Sequence, residues 1–292
     1  MKGPEFLSRH VGKIESAVGG FVPGSHATMR GLDLHASFKD ANWADLFLFS
    51  ITGRRLTQAQ VELVQSIWIY TSYPDARLWN NRVAGLAGTA RSTGSLALAA
   101  ALAVSEATIY GGGTYMPAID FLQRTYRNIQ AGRSLQECID EEFETRRGIS
   151  GFGRPLTSRD ERLIPLMNRA LQLGLGSGPH VQLVKQIEEH LTNRRLRLRI
   201  NFAALAAALL ADQGFTPTEM YLSGFPTFLA GMVPVFMEAN SKTEGALFPI
   251  PCEDISYSGP SPRSWNGRML EKSKHLTGNE VNGTAAAPGV ES

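Results

Sequence analysis

Only two cysteines, Cys138 and Cys252, occur in the 292-residue sequence, far apart and without a second thiol at ligand spacing. That excludes a disulfide framework and a cysteine-based zinc site, so two reduced thiols and no metal are expected. Histidine is missing from a long interior span: His10, His26, His35, His180, His190 and His275 leave Ala36 to Pro179 without one. Charge of one sign is lacking too, since 29 Lys and Arg against 27 Asp and Glu give a net +2. There is no global basic surplus of the kind that drives nucleic-acid binding. The apolar segments are too short or too interrupted to span a bilayer, and the first twenty residues have no continuous apolar core of signal-peptide type. The expectation is a cytoplasmic protein with neither nucleic acid nor membrane as a partner.

What is present is helical periodicity on a 43% apolar background. WADLFLFSITG (43–53) ends on a glycine suited to a helix C-cap, and a second helix opens at Thr57 with QAQVELVQSIWIY behind it, which predicts a hairpin. STGSLALAAALAVSEATI (92–109) is rich in alanine and leucine almost all round and predicts a buried helix. SLQECIDEEFETRR (134–147) is amphipathic behind a serine N-cap. Asp160–Leu173, Val181–Thr192, Phe202–Gln213 and Phe225–Asn240 continue the pattern, with Pro226 and Pro234 predicting a kink or break in the last. Strands are nearly absent from this pattern; Leu196–Ile200 alternates with period two but is short enough to be an extended lead-in. The class is all-α. Beyond Arg268, Gly, Pro, Asn and Ser replace large apolar residues, predicting a disordered tail over 269–292.

Five separated segments occur in a telling order. They are Met29-Arg-Gly-Leu-Asp-Leu34 with Ile51-Thr-Gly-Arg54, then Ile109-Tyr-Gly-Gly-Gly113, GFGRPL (151–156) with Asp160-Glu-Arg162, Arg199-Ile-Asn-Phe202, and GMVPVFME (231–238). Together they resemble the citrate synthase superfamily, whose corresponding segments read RGYDI, LHGGA, GFGHRV with DPR, PNVDF and GWIAHWLE. The short length and the closing FPIPCEDISYSGP resemble its citryl-CoA lyase branch. The resemblance implies a two-domain helical fold, here 1–112 with 201–268 as the large domain and 113–200 as the small one, in a homodimer. It also implies a coenzyme A thioester as substrate, with no tightly bound cofactor, and proton transfer by two histidines and a carboxylate.

Carried over residue by residue, the proton-transfer groups are gone. One histidine position falls on Tyr110, a phenol that donates a hydrogen bond but is a poor shuttle at neutral pH. The other falls on Arg154, which holds an anion but cannot return a proton. The aspartate falls on Asn201, an amide that cannot act as a base. These three are the candidate catalytic positions. Among the carboxylate-binding positions Arg162 remains, one arginine position falls on Phe228, and Tyr73 lies where the substrate side is expected. Without its arginines a tricarboxylate pocket would bury unpaired negative charge, so citrate and oxaloacetate are unsuitable ligands.

Gly111, Gly112, Gly151 and Gly153 let backbone approach a ligand closely, or simply make tight helix junctions. Arg197 and Arg199, in a strip with Arg194 and Arg195, would present cations to coenzyme A phosphates, or form a solvated face. Tyr73, Trp79, Asn80 and Asn81 line the altered substrate side or pack in the core. Asp160 and Arg162 form a retained anion site or a local ion pair at a helix start. Two functions follow from the resemblance. One is an enzyme joining or cleaving carbon–carbon bonds of an acyl-CoA, with a decarboxylative route as one option. The other is a non-catalytic homologue that senses a ligand or pairs with an active relative in a heterodimer.

Overall fold

The computed structural model describes residues 3–12, 14–108, 111–146, 148–154 and 159–261. One compact unit runs to Phe248, and a second begins at Pro249. In the first unit a short helix α1 (Pro4–His10) precedes a three-stranded antiparallel sheet of β1 (Gly19–Val22), β2 (His26–Met29) and β3 (Leu32–Asp33). The pairing Val22↔His26 fixes the β1–β2 register. The sheet is small, so strands are nearly absent as expected and the class is all-α, although the sequence pattern did not place these three. Its strands are two to four residues long, below the length at which alternation is legible. Asp33 then caps α2 (Leu34–Ser37) through the amides of His35 and Ala36.

The predicted hairpin is present as α3 (Trp43–Thr52) and α4 (Gln58–Thr71). Asn42 and Thr57 each close a capping box, and Gly53 ends α3 in the left-handed conformation. Next come α5 (Trp79–Thr89), α6 (Gly94–Val104), α7 (Tyr115–Gln130), α8 (Leu135–Arg146), α9 (Leu163–Gln172) and α10 (Pro179–Asn193). The unit closes with α11 (Phe202–Asp212), α12 (Pro217–Ser223) and α13 (Leu229–Ser241). Pro226 falls in the break between α12 and α13, whereas Pro234 stays inside α13. In the second unit a 3-10 turn, Cys252–Asp254, precedes a contact from the Tyr257 hydroxyl to the Pro260 carbonyl at 2.8 Å. The predicted tail lies outside the described residues.

The centre of the first unit is α11. All ten residues from Phe202 to Ala211 are buried, and the helix packs against α7, α9 and α10. Six alanines on it let those neighbours approach closely, and the leucines fill the remaining volume. Leu196, Leu198 and Ile200 pack on the same core while Arg197 and Arg199 face out, so the period-two lead-in is present as an extended segment. The helix expected over 92–109 is a correction. It spans Gly94–Val104 behind a Thr93 cap, and only Ala97 and Ala101 are buried. Composition identified an apolar helix but not which of two alanine-rich helices the chain itself encloses; α11 is that helix. A smaller cluster of Ala84, Ala101 and Met232 joins α5, α6 and α13.

Candidate active site

The end of the extended segment and the start of α11 form a junction that folds the glycine loop. Gly151 and Gly153 have φ of 91° and 92°, in the left-handed region where a side chain is strained. A Cβ on Gly151 would also lie 2.7 Å from the Ala204 Cβ, on the first turn of α11. Between the two, Phe152 bridges Ile200; the Gly153 amide donates to the Arg199 carbonyl at 2.7 Å and the Asn201 amide to the Gly151 carbonyl at 2.9 Å. Asn201 is the N-cap of α11. Its Oδ1 accepts from the amides of Ala203 and Ala204, and its Nδ2 donates to the Gly153 carbonyl at 2.9 Å. An aspartate could cap the helix equally well but could not make that donation.

Asp160, 2% exposed, locks the same junction. Its two oxygens accept from Arg162 Nε at 2.8 Å and Nη2 at 2.7 Å, and from the Phe202 amide at 3.0 Å. The Arg162 guanidinium lies over the Phe202 ring at 4.6 Å. Burial alone would raise the Asp160 carboxyl, but the Arg162 hydrogen bond and charge, with the Phe202 amide, hold it below its ordinary value. Arg154 reaches Glu161, with Nη1 2.5 Å from Oε2 and Nη2 3.2 Å from Oε1, and stands 4.0 Å from Asp160. The Tyr73 hydroxyl donates to Glu161 Oε1 at 3.2 Å. The Arg154 hydrogen bond, outweighing partial burial, lowers the Glu161 carboxyl.

Of these groups Tyr73, Arg154, Asp160 and Arg162 border a cavity of about 440 Å³, whereas Glu161 stands behind Arg154 and is not among the lining residues. Arg154, Arg162, Asn201, Tyr73, Phe228, Gly111 and Gly153 all line it, although they come from well-separated places in the chain. Phe228 is held at φ 76° as the residue before α13. Trp79 and Asn80 also line it, whereas Asn81 is buried and ties down the loop after α4 through the Tyr73 and Asp75 carbonyls. Gly112, Gly151, Arg197 and Arg199 are not among the lining residues. Tyr110 lies outside the described residues. Gly111, Gly112 and Gly153 already donate their amides to the carbonyls of Ala107, Ser105 and Arg199, which is the chemistry of tight junctions. Arg199 donates to the Thr192 hydroxyl at 2.6 Å, and Arg194 pairs with Asp140.

Two groups escaped the sequence pattern. Glu161 lies in RDER, between the two residues singled out, but its contact with Arg154 is not encoded in the spacing. Tyr115, on the first turn of α7, is 6% exposed and lines the cavity. Burial pushes its phenol up to about 12, so it is a neutral hydrogen-bond donor at physiological pH. The cavity can thus offer neutral phenol donors and paired guanidinium groups. Among its described lining residues no histidine is present to move a proton.

The chain shares its helical fold with solved citryl-CoA lyase, ATP citrate lyase and citrate synthase structures. The citryl-CoA lyase of Hydrogenobacter thermophilus superposes with a TM-score of 0.75 at 18% identity, covering 88% of this chain and 99% of that one. The ATP citrate lyase of Methanosaeta concilii, in complex with (3S)-citryl-CoA, gives 0.69 at 17% identity over 88% of this chain, which spans 44% of that larger protein. The citrate synthase of Thermoplasma acidophilum, in a ternary complex with carboxymethyl coenzyme A and oxaloacetate, gives 0.58 at 15% identity, covering 77% of this chain and 59% of that one. No protein-family model and no curated protein matches the sequence. At these identities the likeness is one of fold.

Replacing Asp160 with Asn is expected to destabilise the protein by about 3 kcal/mol at neutral pH, because the partly buried Arg162 loses its buried carboxylate partner. The sign with pH follows from the lowered value. The Asp160 contribution is complete above the unfolded-state value of 3.8 and is lost as pH falls through the lower folded-state value. Denaturant unfolding of both proteins from about pH 7 to about pH 2.5 checks this, with the gap between them expected to narrow on the acid side.

Proposed function

We propose that the protein acts on an acyl-CoA thioester, forming or cleaving a carbon–carbon bond with a partner other than oxaloacetate or citrate. The single observation that carries this reading is convergence. Gly111, the pair Gly153 and Arg154 with Arg162, and Asn201 come from three segments that resemble the superfamily's site segments, and all of them border one cavity. Phe228, just ahead of a fourth such segment, borders it as well. The presence of citryl-CoA in one solved neighbour and of a coenzyme A analogue in another fits the same reading. In this reading the guanidinium groups of Arg154 and Arg162, each paired with a carboxylate, supply N–H donors beside the thioester or carbonyl oxygen, and Tyr115 supplies a neutral donor. Asn201 holds the glycine loop to α11 as a positioning residue. The exposed Arg197 and Arg199 meet coenzyme A phosphates from outside the cavity. The two-domain division, with the cleft between 113–200 and the rest, is part of the same proposal, as is a cytoplasmic location; among the described residues no helix is long and apolar enough to cross a membrane.

A second reading, a non-catalytic sensor or partner subunit, is favoured by two specific contacts. Asn201 has its amide committed to the cap and the Gly153 carbonyl, and Arg154 is paired with Glu161. Neither contact leaves an obvious proton acceptor for a Claisen-type step. Assembly as a dimer is proposed from the outer face of α6. Leu96 and Val104 are 66% and 42% exposed, Ala99, Ala100 and Ala103 are exposed beside them, and on α13 Met237 is 63% exposed. An alanine-rich helix with an open apolar face suits close packing against a copy of itself.

Two measurements test the proposal. Incubation with a panel of acyl-CoAs and carbonyl partners, read by mass spectrometry, is expected to give turnover that falls at least ~100-fold in Arg154→Ala, the scale for loss of a group that stabilises transition-state charge. Absence of turnover in both proteins would favour the second reading. In light scattering, Leu96→Glu is expected to shift a dimer to monomer; a wild type that is already monomeric would remove the proposed α6 interface.

A further inference from the structure

Glu161 changes what the cavity can accept. The charged groups of the lining are Arg77, Arg154, Arg162 and Asp160. Arg77 is gripped by Asp75 through Nε at 3.1 Å to each oxygen and Nη2 at 2.7 Å. Arg162 is forked on Asp160, and Arg154 on Glu161. Each of these cations therefore has its anion within the protein, and Arg154 and Arg162 sum to zero with Asp160 and Glu161. Around them the wall is apolar, from Leu78, Trp79, Phe202, Ala203 and Phe228. From this we infer that the cavity receives an uncharged carbonyl compound, a ketone, aldehyde or amide, and that Glu161 excludes oxo-acids by serving as the resident carboxylate on Arg154.

The inference rests on reading the cavity as the carbonyl side of an acyl-CoA reaction, and the physical comparison is direct. A carboxylate entering this space loses its water and meets no cation that is not already matched, unless it displaces Glu161 and leaves that charge to find another partner. An uncharged carbonyl oxygen needs only a neutral donor, and the buried Tyr115 phenol on the wall is one. Glu161 is 53% exposed, so its carboxylate is sustained by water as well as by Arg154 and Tyr73, and its replacement does not open a void in the core. It stands where the resembling motif has proline, so the resident anion is a property of this chain. The specificity assigned to Glu161 is thus the reverse of an arginine pocket built for carboxylates.

The test compares 2-oxobutanoate with its near-isosteric amide, 2-oxobutanamide, by ligand-observed NMR titration of the full-length protein. Wild type is expected to bind the amide more tightly, and Glu161→Gln to invert the order, gaining roughly tenfold or more for the oxo-acid, the scale of one charge-assisted contact. Wild type that prefers the oxo-acid, or binds no amide, overturns the inference, as does Glu161→Gln with an unchanged order. Acetyl-CoA is titrated in parallel. If neither protein binds it while the amide preference and its inversion persist, the acyl-CoA reading fails and the assignment to Glu161 stands. Acetyl-CoA binding together with an oxo-acid preference in wild type leaves the acyl-CoA reading in place and removes the assignment to Glu161.

Discussion

The buried Asp160 carboxylate is the interaction on which the site depends. It joins the guanidinium of Arg162, at the entrance to α9, to the first amide of α11, the helix at the centre of the core. A carboxylate at the N-terminus of a fully buried helix answers amides that have no intrahelical partner, and it meets the positive end of the helix dipole. The arginine then matches its charge, so neither group is buried alone. Asn201 completes the junction by capping α11 and holding the Gly153 carbonyl. The glycine loop is thereby carried on rigid structure rather than left as a flexible connector, and Arg154 is placed at the edge of the cavity.

Much of this was legible in the sequence. The hairpin was readable because Asn42, Thr57 and Gly53 are strong boundary residues, and α11 because FAALAAALLAD offers no polar face. Motif order and the basic strip single out Arg154, Arg162, Asn201 and Phe228, which line one cavity, together with Gly112, Gly151, Arg197 and Arg199, which do not. The small sheet was not legible, because strands of two to four residues leave no pattern. The exposure of α6 was also hidden, since an apolar helix reads the same whether its cover comes from its own chain or another. Glu161 escaped for a different reason. Its importance lies in the contact with Arg154, and spacing in the sequence does not encode that.

Where the resemblance implies histidines and a carboxylate base, the cavity offers a guanidinium engaged by Glu161, an amide engaged by its own backbone, and a buried phenol held in its neutral form. Such a set binds and polarises oxygen atoms but moves protons poorly. The glycines follow the same logic. Gly111, Gly112 and Gly153 have their amides satisfied by neighbouring carbonyls, so what they supply is close packing of chain against chain.

On the proposed reading, the junction of the glycine loop with α11, together with the Gly111 turn, forms the floor of an acyl-CoA site, and hydrogen exchange with and without a saturating acyl-CoA distinguishes this from a site elsewhere. Added protection at 111–114, 151–154 and 199–203 is the predicted result. Binding that protects only segments outside these three, or leaves all of them unchanged, would contradict it.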